Sequence, residues 1–205
     1  MPKISQMDKS RDTERRILEA ATSVFLENGY VLTNMSMIAQ AAGINRPALY
    51  YYYREKDKIF SAVVGSIVRE FLPSVIDILH SDAPPPDRID ALTDAYFSQM
   101  LSHPGLPLFL VREINRDADF IFKIASEEKI TDYVLQLKAI LEDEIRKGHV
   151  KPQPPQVVLM TFLSQVMVPF LARPLAEKLF TPDFEPFVRS WQPYVADSLK
   201  HLLLP

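Results

Sequence analysis

The 205-residue chain contains no cysteine, which excludes disulfides, thiolate catalysis and cysteine-ligated zinc, and suits a reducing compartment. Glycine is scarce as well, at five residues. They lie far apart, so no phosphate-cradling loop or dinucleotide fingerprint can form, and no G-x-S-x-G elbow occurs. The four histidines, His80, His103, His149 and His201, are scattered, with no HExxH and no pair at metal-ligand spacing. No enzyme activity, metal site or cofactor is therefore expected. Uninterrupted apolar runs of about 18 residues, the length needed to span a bilayer, are missing too. The opening Met1-Pro2-Lys3-Ile4-Ser5-Gln6 lacks the apolar centre of a secretory signal. These absences lead to the expectation of a cytoplasmic protein that makes no membrane contact.

What is present is ordinary globular material, 47% hydrophobic and 24% charged, so stability must come from packing. The net charge of -3 is unevenly spread. Residues 1–60 hold nine Lys/Arg against seven Asp/Glu, a net of +2, and residues 61–205 hold fourteen against nineteen, a net of -5. A cationic amino-terminal lobe is compatible with a polyanionic partner even in an acidic protein, because phosphate attraction decays over a Debye length of roughly 8 Å.

Apolar spacing organises the chain. From Thr13, the residues Ile17, Leu18, Ala21, Val24 and Phe25 recur at helical intervals until Asn28-Gly29. Asn34 is placed to cap a short helix through Met35, Ile38, Ala39 and Ala42, which Gly43 breaks. Asn45 offers a second cap, and Pro47 sits early in a third helix, where its missing N–H is harmless. Two short helices joined through Ala42-Gly43-Ile44-Asn45 form a helix-turn-helix pattern, whose second helix is placed to enter a major groove.

The residues sharpen that pattern. From about Thr13 to Ile59 the chain resembles the amino-terminal domain of the tetracycline-repressor (TetR) family of bacterial regulators. The match runs through Ile17-Leu18-x-Ala20-Ala21-x-x-x-Phe25-x-x-x-Gly29-Tyr30. It continues in Thr33-Asn34-Met35-Ser36-Met37-Ile38-Ala39-x-x-Ala42-Gly43-Ile44 and in Leu49-Tyr50-x-Tyr52-Tyr53-x-x-Lys56. Tyr53 stands where phenylalanine is usual. The resemblance implies a ligand-responsive, sequence-specific DNA-binding regulator, most often a repressor, that reads a near-palindromic operator as a homodimer.

Asn34, assisted by Thr33, is expected to meet a phosphate at a helix start. Tyr50 and Tyr51 resemble positions that grip the DNA backbone, and Lys56 resembles the family's phosphate-clamping lysine. Arg46 suits a guanine edge, which it would bond bidentately, or a phosphate, while Pro47 and Ala48 suit a thymine methyl. Ser36 and Tyr52 are further candidates, and Leu49 and Tyr53 are expected in the core, because four consecutive residues of an α-helix cannot point one way. Lys3, Lys9, Arg11, Arg15 and Arg16 form a basic segment ahead of helix one, read either as a DNA-following arm or as a solvated terminus.

The expected architecture is all-α with about nine helices. A three-helix helix-turn-helix domain spans residues 1–56, and a helical ligand-binding and dimerisation domain spans 57–205. After a fourth helix that Pro73 kinks or shortens, helices are expected near residues 88–102, 105–115, 118–147, 155–172 and 184–203, and residues 82–87 form a loop. The segment 156–171 is apolar on nearly every face, so it must be covered all round. With the last helix, it is expected to make the interface of a homodimer. Tyr96, Met100, Phe109, Arg112, Phe162 and Gln165 are the candidate lining of an effector pocket, an aromatic and methionine-rich set suited to an apolar or aromatic small molecule. Arg112 has a second reading, as an ion-pair partner of Glu113 or Asp117. The alternative to the regulator is an all-helical protein-interaction module without specific DNA binding.

Overall fold

A computed structural model describes residues 3–205, with side chains from Ser10 onward. All regular structure among these residues is helical, in eleven helices. They divide into two compact units. One comprises the described residues up to 68 together with 109–128, the other residues 69–108 and 129–205.

The first unit begins with α1 (Lys3–Leu32), which is interrupted at Gly29, where φ is 73°. Ile17, Ala21, Val24 and Phe25 form its buried stripe. Because α1 already starts at Lys3, the basic segment expected ahead of it is itself helix. The side chains of Lys3 and Lys9 lie outside the described residues. Arg15 pairs with Asp12 and Glu19 on its own helix, and Arg16 donates to the Ala42 carbonyl at 2.8 Å. That carbonyl ends α2 (Met35–Ala41), whose close is a Schellman arrangement: Ile44 N–H bonds Ala39 O and Gly43 N–H bonds Gln40 O. Gly43, at φ 64°, supplies the left-handed residue this requires.

Next come α3 (Arg46–Tyr52) and α4 (Lys56–His80). The expected domain boundary at residue 56 coincides with the start of α4, whereas the compact units part within it, after Val68. Pro73 is accommodated without ending α4, which continues to His80. By length and composition α4 is also the one described helix able to cross a membrane, and Ile59, Phe60, Val63, Val64 and Val75 along it are buried.

The remaining helices are α5 (Pro85–Ser102), α6 (Leu106–Arg116), α7 (Ala118–Glu127), α8 (Ile130–Arg146), α9 (Pro155–Leu171), α10 (Arg173–Leu179) and α11 (Phe184–Leu203). Three of them, α7, α8 and α10, depart from expectation. The single helix foreseen over 118–147 is two, because Lys129 takes a left-handed conformation, φ 58°, at a place with no glycine or proline to announce it. The short α10 was not foreseen, although Pro174 in its first turn is a helix-start signal. In the second unit α11 packs against α5 and α9, with Lys200 joined to Asp90 at 2.6 Å.

Candidate nucleic-acid interface and effector cavity

The helix-turn-helix is assembled from caps. Asn34 Oδ1 accepts the amides of Ser36 and Met37 at 3.0 and 3.1 Å. Asn45 Oδ1 accepts that of Ala48 at 2.8 Å, and Leu49 anchors α3 with its side chain fully buried. The opposite side of α3 is open. Arg46 and Pro47 are exposed, and Tyr51 is 82% exposed. Arg46 donates to the Tyr50 hydroxyl at 3.0 Å and lies over its ring.

The remaining two tyrosines are half-buried and turn toward α1, so Tyr53 does not take the core position expected of it. Tyr52 reaches Ser10 on α1 at 3.5 Å. Tyr53 ends the helix in an extended conformation, half-buried, and its hydroxyl meets Glu14 at 3.4 Å. The unbroken tyrosine run is thus split by the helix end as well as by helical periodicity.

A concavity of about 510 Å³ is lined by Thr33, Asn34, Met35, Ser36, Arg46 and Lys56. It gathers five of the residues expected to face DNA from four different segments. Two of them have structural duties the sequence did not disclose. Thr33 is buried, and its hydroxyl donates to Val24 O at 3.4 Å, so its side chain is not offered to a ligand. The Lys56 ammonium donates to Tyr30 O at 2.9 Å and Thr33 O at 3.1 Å and sits 4.1 Å above the Tyr30 ring. It staples the turn between α1 and α2, leaving one N–H of its three for another acceptor.

Beneath this turn lies a network of which the sequence suggested only the pairing of Arg112 with Glu113. Glu113 on α6 is 2% exposed. Its carboxylate accepts the Tyr30 amide at 2.9 Å, Arg112 Nε at 3.3 Å and Arg116 Nε at 2.7 Å. Arg112 also donates to Phe25 O at 3.1 Å, and Arg116 stacks over Tyr30. Burial pushes the Tyr30 phenol up to about 12, and its hydrogen bond to Asp57 acts in the same direction. Phe25, Phe60, Phe109 and Phe120 complete the aromatic packing of this unit.

In the second unit a cavity of about 650 Å³ lies between α4, α5, α8, α9 and α11. Tyr96 and Phe162, both expected there, line it edge to face, their ring centroids 4.6 Å apart. Burial pushes the Tyr96 phenol up to about 12. Met100 is buried outside the lining. Phe109 and Arg112 belong to the first unit, packed on Phe60 and paired with Glu113. Gln165 is turned toward α11, where its side chain donates to Ser198 and its carbonyl accepts Trp191 Nε1. The rest of the lining is mainly aliphatic, including Val75, Leu79, Ile89, Leu92, Leu141 and Leu159, with Arg88 and Glu144 as a buried polar pair. Among the described residues no group of His, Asp and Glu is placed to hold a metal ion.

Comparison with known proteins gives this geometry a context. Residues 17–63 match the family model described as bacterial regulatory proteins, tetR family. The chain is 23% identical over 145 residues to a fatty acid metabolism regulator protein of Bacillus subtilis, covering 71% of this chain and 74% of that one. It is also 23% identical over 171 residues to the transcriptional repressor AcnR of Corynebacterium efficiens, covering 81% and 84%. Among solved structures, that of the B. subtilis transcriptional regulator FadR in complex with stearoyl-CoA superposes with a TM-score of 0.70 at 18% identity, covering 89% of this chain and 97% of that one.

Proposed function

We propose that the chain, whose residues 17–63 match the model of the tetR family of bacterial regulatory proteins, is a cytoplasmic, ligand-responsive transcriptional repressor of that family that binds a near-palindromic operator as a homodimer. The observation that carries this reading is the open side of α3. Arg46, Pro47 and Tyr51 are exposed there while Leu49 is fully buried, so the helix is held rigidly from one side and free on the other. In a major groove Arg46 would read a base edge, with Pro47 and Ala48 contributing apolar contact. Tyr50, Tyr51, Ser36 and the free N–H of Lys56 would hold phosphates and fix the register. Asn34 would act through the turn it caps.

Two-fold symmetry would place two such helices on half-sites about 34–36 Å apart. The outward face of α9, with Val157, Met160 and Val168 exposed, and of α11, with Trp191 and Tyr194 exposed, supplies apolar surface for a second copy. An effector in the second-unit cavity would act through α4, which continues from that unit into the reading head. Selection from a pool of random duplexes tests the reading. Enrichment of a near-palindrome supports it, and an unenriched pool at low salt would favour a helical interaction module instead.

A further inference from the structure

The cavity of the second unit has a chemistry that the aromatic expectation did not foresee. Apart from Tyr96 and Phe162 its apolar lining is almost wholly leucine, isoleucine and valine, drawn from five helices. Flexible aliphatic walls suit a flexible chain, whereas a planar ring system gains most from stacking on aromatic faces, and only two are offered. The polar lining consists of the nearly buried Arg88–Glu144 pair and the exposed Lys138, Glu142 and Gln156. Arg88, on α5, donates from one terminal nitrogen to Leu79 O at 2.8 Å and from the other to Glu144 Oε2 at 2.5 Å. Its Nε–H is buried without a hydrogen-bond partner. An orphaned donor on a charged, nearly buried side chain is costly, and an acceptor brought by a ligand removes that cost.

Glu144 is not dependent on Arg88 alone. His149 lies 3.1 Å and Lys147 3.4 Å from its carboxylate, so Arg88 can turn partly to a new acceptor without stranding a buried charge. Arg88 and Glu144 also line a neighbouring, more polar cleft of about 720 Å³ that contains Lys147 and His149. The pair therefore stands where an apolar chamber meets a polar one. That is the arrangement an amphiphile needs, chain on one side and head on the other.

We propose that the cavity takes an aliphatic chain ending in a carboxylate-type acceptor head, with the chain among the leucines and valines and the head on Arg88. This rests on the reading of the cavity as the effector site, but its test does not involve DNA. Calorimetric titration of the intact, DNA-free protein with straight-chain saturated carboxylic acids of increasing length should show affinity rising about fourfold per methylene until the chamber is full. At equal length, the acid should bind at least tenfold more tightly than the primary amine, which brings a cation and no acceptor at neutral pH. The coenzyme A thioester of the same chain distinguishes a free acid from a carrier-bound acyl group. A gain over the acid assigns the neighbouring cleft to the carrier, and equal or weaker binding assigns the free acid.

The double variant Arg88→Met/Glu144→Met removes the ion pair together, so neither charge is left buried alone. It should keep the chain-length dependence and lose the preference for acid over amine. Flat length dependence, tighter binding of planar polyaromatic probes, or an acid preference that survives in the double variant would overturn the assignment. Operator selection by the unliganded protein reads the regulator proposal separately, so failure of one leaves the other measurable.

Discussion

The carboxylate of Glu113 accepts a hydrogen bond from the backbone amide of Tyr30 at 2.9 Å, across 83 positions of sequence. This bond ties α6 to the turn that leads into the helix-turn-helix, and Arg112 and Arg116 surround the same carboxylate. Replacing one oxygen of a buried carboxylate that serves three donors leaves those donors short of an acceptor. Glu113→Gln should therefore lose about 2–3 kcal/mol, seen as a lower denaturant midpoint with an unchanged slope. A change below about 0.5 kcal/mol, the size expected of an ordinary surface substitution, would mean that the network does not hold the head.

Gly29 has the backbone of a residue with no side chain, φ 73° and ψ 176°. A Cβ there would lie 2.5 Å from Arg112 Cζ. Gly29→Ala should cost about 1–3 kcal/mol for the backbone region alone, and more for the clash. The same substitution in an Arg112→Ala background should cost less, because only the backbone part remains. Equal costs in the two backgrounds would show that the guanidinium yields freely.

These two residues also mark the limit of what could be read beforehand. The helix-turn-helix was legible because its signals are local: Asn34 and Asn45 are caps, Gly43 is the left-handed turn, and Ile17, Ala21 and Phe25 repeat at helical spacing. Leu49 in the core and Arg46 outside follow from the same periodicity. The Glu113–Tyr30 bond joins segments with no sequence proximity, and nothing in Arg112-Glu113 shows which way the helix faces. The lining of the second-unit cavity differs from the expected set for the same reason. Aromatic character does not tell where a residue packs: Phe109 lies in the first unit and the cavity is mostly aliphatic. Arg88 and Glu144 are 56 residues apart, and only the packing of α5 and α8 brings them together.

Lys56 and Arg46 should separate by phenotype. Lys56→Ala removes two hydrogen bonds to backbone carbonyls and should lower stability by about 1–3 kcal/mol. It should also make the salt dependence of DNA binding shallower by about one phosphate contact. Arg46→Ala leaves Tyr50 with solvent in place of its partner, so stability should change by less than about 0.5 kcal/mol. Unchanged stability in the lysine variant would contradict the staple, and an unchanged salt slope would contradict its phosphate contact.

Acid should loosen the second unit through Glu144. Burial alone would raise its carboxyl, but the hydrogen bonds from Arg88 and His149, with the charge of Arg88, hold it below its ordinary value. A carboxyl whose folded pKa is depressed binds fewer protons than in the unfolded chain. Its stabilisation is thus complete above about pH 4.3, the unfolded value, and is lost as pH falls through the lower folded one. Thermal melts from pH 6 to 3 should fall more steeply for the wild type than for Glu144→Gln, which starts lower and has no such proton to gain. Parallel curves would remove Glu144 from the acid response.

On the proposed function, α3 reads sequence with Arg46 at its leading edge. Sequencing the duplexes retained from a random pool by the wild-type protein and by Arg46→Ala, side by side, tests it most directly. The account predicts one near-palindromic motif for both, with preference relaxed by about 1–3 kcal/mol at a single symmetric base-pair position in the variant. Retention without any motif by the wild type, or an identical motif at every position in the variant, would contradict it.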